Sequence, residues 1–279
     1  MTWRRLLVAA ALLVLSGCSA VQLGYRNADT FLRWQANSYL DFEGAESEEL
    51  DQRIASFLAW HRGKALPQYV ALVEDAAVRG GRGLSREDLV WGYDAVREQV
   101  REGLRTAARE AAPMLDRLRP EQLAHLERRF GEDNRKFSRD FLSGTPEDRR
   151  NRRLKRNIER LEDWVGTLTE AQVERVKQYS DRLPPNEALR DRDRRRRQAE
   201  LLAMLRAREA GKRLEDWAAH WDGGRDPAYQ AVARAQVAEY MNLLADLDKS
   251  LAAAQRENLV RRLRGYAADF AALAKSGAK

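Results

Sequence analysis

A single cysteine, Cys18, serves a chain of 279 residues, which rules out intramolecular disulfides and cysteine-based zinc sites. Histidine is almost as scarce. His61, His125 and His220 stand far apart, none with a second metal-type ligand at ligand spacing, so no metal site is expected. Glycine-rich phosphate loops and the phrases His-Glu-x-x-His and Gly-x-Ser-x-Gly are absent too, and with them the chemistries they serve. On these grounds no catalytic residue and no cofactor is expected. Proline and glycine are few, 7 and 17 residues. No stretch alternates polar and apolar residues as a strand would, so helix is favoured almost throughout.

Long apolar runs are missing as well. The one uncharged apolar stretch, Leu6 to Leu15, is too short to span a bilayer as a stable helix. Arg4 and Arg5 precede it, and Leu15-Ser16-Gly17-Cys18 closes it in the manner of a lipobox, where small residues admit the signal peptidase and the thiol takes a diacylglyceryl group. Residues 1–17 therefore read as a lipoprotein signal peptide and Cys18 as the lipidation site. Ser19, in place of an aspartate, implies passage to the outer membrane, with the body facing the periplasm and held by buried acyl area. Residues 18–279 read as one helical envelope domain. Its first part, 18–44, carries Tyr25, Phe31, Trp34 and Tyr39 where a polar tether is usual. It reads as a membrane-proximal segment folded onto the body, with an interfacial helix as the alternative.

Charge is plentiful but balanced, 50 basic against 43 acidic residues and a net +7 that falls by two when Arg4 and Arg5 are removed. Interleaved signs describe solvated helix faces. Carboxylates scattered among arginines are explained by pairs three or four residues apart. Two basic runs stand out: Arg149, Arg150, Arg152, Arg153, Lys155 and Arg156, then Arg190, Arg192 and Arg194-Arg195-Arg196-Arg197. Export argues against nucleic acid. A solvated face is the first reading of the second run, and an anionic docking patch at Arg194, Arg195, Arg196 and Arg197 is the second.

Apolar residues recur at helical spacing. Leu89, Tyr93, Val96, Val100, Leu104, Ala107 and Ala111 draw one stripe; Leu123, Leu126, Phe130, Phe137 and Phe141 another; Leu259, Leu263, Tyr266, Phe270 and Leu273 a third. Pro120, Pro146 and Pro227 sit where first helical residues belong, with Thr145 and Asp226 as caps. Pro184-Pro185-Asn186, Asp222-Gly223-Gly224 and Gly80-Gly81-Arg82-Gly83 read as breaks. The expected fold is all-α, an elongated multi-helix bundle behind the signal peptide. Trp34, Trp60, Trp91, Trp164, Trp217 and Trp221 read as core, with Trp217 and Trp221 able to line a concave face instead.

A short phrase repeats at uneven spacing: Leu84-Ser85-Arg86-Glu87-Asp88, Leu118-Arg119-Pro120-Glu121-Gln122, Leu168-Thr169-Glu170-Ala171-Gln172 and, more weakly, Leu251-Ala252-Ala253-Ala254-Gln255. Each is a capping box before an apolar stripe. The Leu-Thr-x-x-Gln form resembles the signature of Spy-like periplasmic chaperones, and the resemblance implies a cradle for unfolded clients. A broader likeness rests on the lipobox, the segment Tyr25 to Leu40, Trp60-His61-Arg62 with Leu66-Pro67-Gln68-Tyr69, and the repeated caps. The chain is similar to an uncharacterised family of proteobacterial lipoproteins, a likeness that supports location and fold class and supplies no activity. The functional expectation is an interaction, scaffold or chaperone-like module of the cell envelope. Its partners are the membrane, through Cys18, and an envelope protein or client. The alternative is an enzyme acting on envelope glycan or lipid through carboxylates that the sequence does not place.

Overall fold

The computed structural model describes residues 20–276; the signal peptide and Cys18 lie outside the described residues. The chain forms helices α1 (Ala20–Arg26), α2 (Ala28–Leu40), α3 (Ala45–Trp60), α4 (Leu66–Arg82), α5 (Arg86–Leu115), α6 (Pro120–Phe137), α7 (Pro146–Val165), α8 (Glu170–Arg182), α9 (Glu187–Arg206), α10 (Ala210–Ala219), α11 (Pro227–Asp248) and α12 (Ala253–Lys275). No strand occurs among the described residues. The fold is all-α, as the apolar periodicity implies.

Local chemistry explains most of the boundaries. Ser85, Thr145 and Thr169 are full capping boxes, each side chain accepting from the backbone N–H three residues on. Asp226 accepts from the N–H groups of Ala228 and Tyr229 and starts α11. Arg119 and Ala252 cannot accept, so at α6 and α12 only half the box remains: Gln122 and Gln255 accept from the Arg119 and Ala252 backbone N–H groups. Pro67 has no N–H to donate one turn back, and the helix ahead of it widens into a π turn over His61–Ala65, joining α3 to α4. One break falls later than the glycines suggest. Gly80 and Gly81 remain helical, because Gly80 is buried against Leu259 of α12, whose Cδ2 stands 3.4 Å from where a Cβ would lie. Only Gly83, at φ 96, leaves the helix.

The fifth residue of every repeated phrase turns inward. Asp88, Gln122, Gln172 and Gln255 are all buried. Two of the phrases meet: Gln172 and Gln255 exchange amide hydrogen bonds of 2.9 Å in both directions. Each also donates to the carbonyl five residues before the other, Gln172 to Ser250 and Gln255 to Thr167. The starts of α8 and α12 are thus locked by a local two-fold arrangement that leaves no amide group unpaired.

Hydrophobic burial divides into two clusters. One gathers Leu50, Ile54 and Leu58 of α3, Ala108 and Ala112 of α5, Leu126 of α6, Leu202 and Leu205 of α9 and Leu214 of α10. The other joins Leu161 and Val165 of α7, Val176 and Tyr179 of α8, and Leu243 and Leu247 of α11. Helices α4 and α12 pack along their lengths, with Tyr69 edge-on to Phe270 at 5.7 Å. Each fully buried leucine contributes about 1.5–3 kcal/mol.

Candidate functional site

Helix α5 behaves differently along its length. Its C-terminal half buries Thr106, Ala108, Ala112 and Met114, whereas its N-terminal half buries only Asp88. There three members of the stripe legible in the sequence stand open, Tyr93, Val96 and Val100 at 37%, 53% and 40% exposed, and Val90, next to the half-buried Leu89, joins them at 42%. Val90, Tyr93 and Val96 border a trough whose other wall is the alanine-rich first part of α11, and Val100 continues the row one turn further along α5. Two depressions of about 410 and 730 Å³ share Tyr93, Tyr229, Ala233, Val237 and Met241. The larger continues past Leu244 to Leu259 and Leu263 of α12. Alanines on α11 keep that wall shallow, since side chains of larger volume at these positions would close on α5.

The polar groups of the trough are set by ion pairs. Burial alone would raise the Asp222 carboxyl, but the Arg97 guanidinium, bound through Nε at 2.8 Å, holds it below its ordinary value. Asp88 is held down to about 2 by the Ser85 backbone N–H first and by Arg79 next, at 2.6 Å. Both carboxylates are therefore ionised and already bound, the opposite of what a general acid requires. Positive charge is left over: Arg86, Arg160 and Arg234 line the trough with no carboxylate at ion-pair distance among the described residues. Arg86 bonds Asn242 across to α11. At one end stands Trp221, whose indole N–H is buried and has no acceptor among the described residues.

Floor and end of the trough rest on a buried carboxylate. Asp193 of α9, 0% exposed, accepts from Arg225 at 2.8 Å, Arg196 at 3.0 Å and the Asp226 backbone N–H at 2.7 Å. Burial raises its pKa, yet these donors win and keep it low. The turn that launches α11 is fixed to α9 by this side chain, together with Arg196 on the Gly224 carbonyl and Arg192 on Asp226.

The four arginines singled out by density occupy the same helix, but consecutive residues fan around α9 and share no face. Arg194 lies 4.4 Å over the Phe137 ring and pairs with Asp191. Arg195 also pairs with Asp191. Arg196 binds Asp193 and Glu200, while Arg197 lies 3.8 Å over Trp217. In the other run, Arg149 and Arg152 bind backbone carbonyls and Arg153 pairs with Glu187 at 3.2 Å. These groups tie the structure together. The histidines do not converge: His61 bonds Tyr25 at 2.9 Å, His125 reaches the Ser38 carbonyl and His220 the Asp216 carbonyl. No cluster of metal-ligating residues occurs among the described residues.

Of the tryptophans, Trp164 and Trp217 pack beside the two cores. Trp91 and Trp221 line the trough. Trp34 departs from the core expectation and is 61% exposed. The open state of the α5 stripe was not visible in the sequence, because a stripe facing water has the same spacing as one facing a core. Alanines on the opposing α11 wall were the only signal, and they needed the fold to acquire meaning.

No curated protein and no solved structure matches the chain. A family profile does: the one described as a family of unknown function (DUF6279) matches residues 38–220. That span contains the α5 wall of the trough and stops at the turn leading into α11. Covering well over half of the sequence, the match places the chain in the DUF6279 family.

Proposed function

We propose that this protein is a lipid-anchored, periplasm-facing binding module that holds an apolar segment with acidic flanks, contributed by an envelope protein or client, in the trough between α5 and α11. The observation that carries the reading is the uncovered row Val90, Tyr93 and Val96, continued along α5 by Val100, beside a long groove whose surplus charge is positive. Apolar side chains of a guest fill the trough, while its carboxylates meet Arg86, Arg160 and Arg234. Chemistry at the site is not part of the role, since both trough carboxylates are spent in ion pairs.

The test is fluorescence anisotropy with two fluorescein-labelled amphipathic peptides of equal apolar content, one with a glutamate-rich polar face and one with a lysine-rich face. The acidic peptide is expected to bind, more weakly as salt is raised, and the basic one to bind far less. Equal affinities for the two would refute the charge argument, and no binding of either would refute the trough as a peptide site.

A further inference from the structure

We infer that one face of α1 and α2 lies in the headgroup layer of the membrane that holds Cys18, so that the phospholipid surface is itself a partner of the fold. The inference rests on the lipid-anchor reading. Helices α1 and α2 cover the first core with Tyr25, Ala28, Leu32, Ala36, Tyr39 and Leu40. Their opposite side carries a second apolar face. Leu23, Phe31 and Trp34 are 61%, 58% and 61% exposed, and the Phe31 and Trp34 rings lie 5.9 Å apart. Asn27 interrupts the helix for one residue, its N–H donating to the Gly24 carbonyl at 3.3 Å and its carbonyl accepting from Phe31 at 3.0 Å, and Tyr25 before it and Ala28 and Leu32 after it still face the same core, so the faces of α1 and α2 stay in register.

In that register Leu23, Asn27, Thr30, Phe31 and Trp34 fall within about 100° of arc, and none is charged. Arg26, Asp29 and Arg33 all fall outside the arc. In a chain where 33% of residues are charged, a charge-free face crossed by three large apolar side chains marks contact with something other than water. Its position says what. Leu23 stands five positions after Cys18, so the chain can place it no further than about 17 Å from the acylated residue. Amphipathic helices sit about 5–10 Å into the headgroup boundary, where indole rings are favoured. Arg26, exposed and without an ion pair among the described residues, stands at the flank, within reach of lipid phosphates.

The test uses the full mature lipoprotein in phosphatidylethanolamine–phosphatidylglycerol vesicles whose acyl chains are brominated near the headgroup. Vesicle flotation and intact mass first establish the anchor. Tryptophan emission is then compared with that in unbrominated vesicles. Wild type is expected to dim, and Trp34→Phe, which alters an exposed position, to lose that dimming. Adding Thr30→Trp to Trp34→Phe restores it, because Thr30 shares the face. A protein that floats and carries the acyl mass, yet dims equally with and without Trp34, or not at all, would overturn the inference while leaving the anchor intact. Failure to float or to carry the acyl mass would overturn the anchor first, and the inference with it.

Discussion

Replacing Val90, Val96 and Val100 together by threonine separates a binding surface from a packed one. Threonine keeps the branched shape, so contacts made by the buried half of each side chain survive. Each new hydroxyl can stay in water, because these positions are 40–53% exposed. Folding stability should therefore change by no more than about 0.5 kcal/mol per site. When a guest covers the stripe, each hydroxyl loses its water without gaining a partner, at a cost of about 1 kcal/mol or more. Three sites together remove about 3 kcal/mol of binding, roughly a hundredfold in Kd. Anisotropy with the acidic amphipathic peptide measures the affinity, and urea unfolding measures the fold. Unchanged stability with less than threefold loss of affinity would show that guests bind elsewhere. A stability loss above about 2 kcal/mol would show that the stripe is core after all.

The remaining predictions concern the supports of the site. Asp193→Ala strips three donors of their acceptor; with Arg196 and Arg225 partly exposed, the expected loss is about 2–3 kcal/mol in urea unfolding, and a loss below about 0.5 kcal/mol would show that α9 and the 222–226 turn are held by other contacts. Gln172→Leu leaves the Gln255 amide half-paired and should cost about 1–3 kcal/mol, while Gln172→Leu with Gln255→Leu should cost less than the sum of the singles; strict additivity in that cycle would refute the reciprocal pair. His61 has its pKa pushed below the ordinary 6.5 by burial first and by Arg62 next. Its unfolded form takes up a proton more readily than the folded one, so this contribution to stability is intact above about pH 6.5 and falls away as pH drops. Thermal melts from pH 7.5 to 5 should show a shallower decline in His61→Phe than in wild type, and parallel declines would remove His61 from the account.

Helix starts were legible because capping is local. Thr145 with Asp148, Thr169 with Gln172 and Ser85 with Asp88 each act within a four-residue span, so their chemistry is written in consecutive letters. Gly80 was misread as loop because its role depends on Leu259, which reaches it only when α12 docks on α4. The inward turn of Gln172 was legible as a cap but not as half of an amide pair, since its partner lies 83 residues away. Arginine density was visible at Arg194 to Arg197 with its carboxylates on the same helix, yet the rings and the carbonyl that also absorb it come from other elements: Phe137, Trp217 and the turn at Gly224. The trough lay furthest from the sequence. Nothing within α5 tells which half of an unbroken stripe finds a partner.

The packing of α12 along α4, with Gln22 of α1 donating to Asp269 at 2.9 Å, also sets an order of events. A chain that emerges N-terminus first exposes the apolar side of α4 long before α12 arrives to cover it. Closing a loop of this length is slow compared with forming the hairpins between neighbouring helices. The last helix therefore acts as a completion signal. A chain cut short within α12 keeps every earlier helix and most of both cores, but leaves α4 uncovered and takes the Asp269 contact from α1, offering proteases a surface that the finished molecule hides.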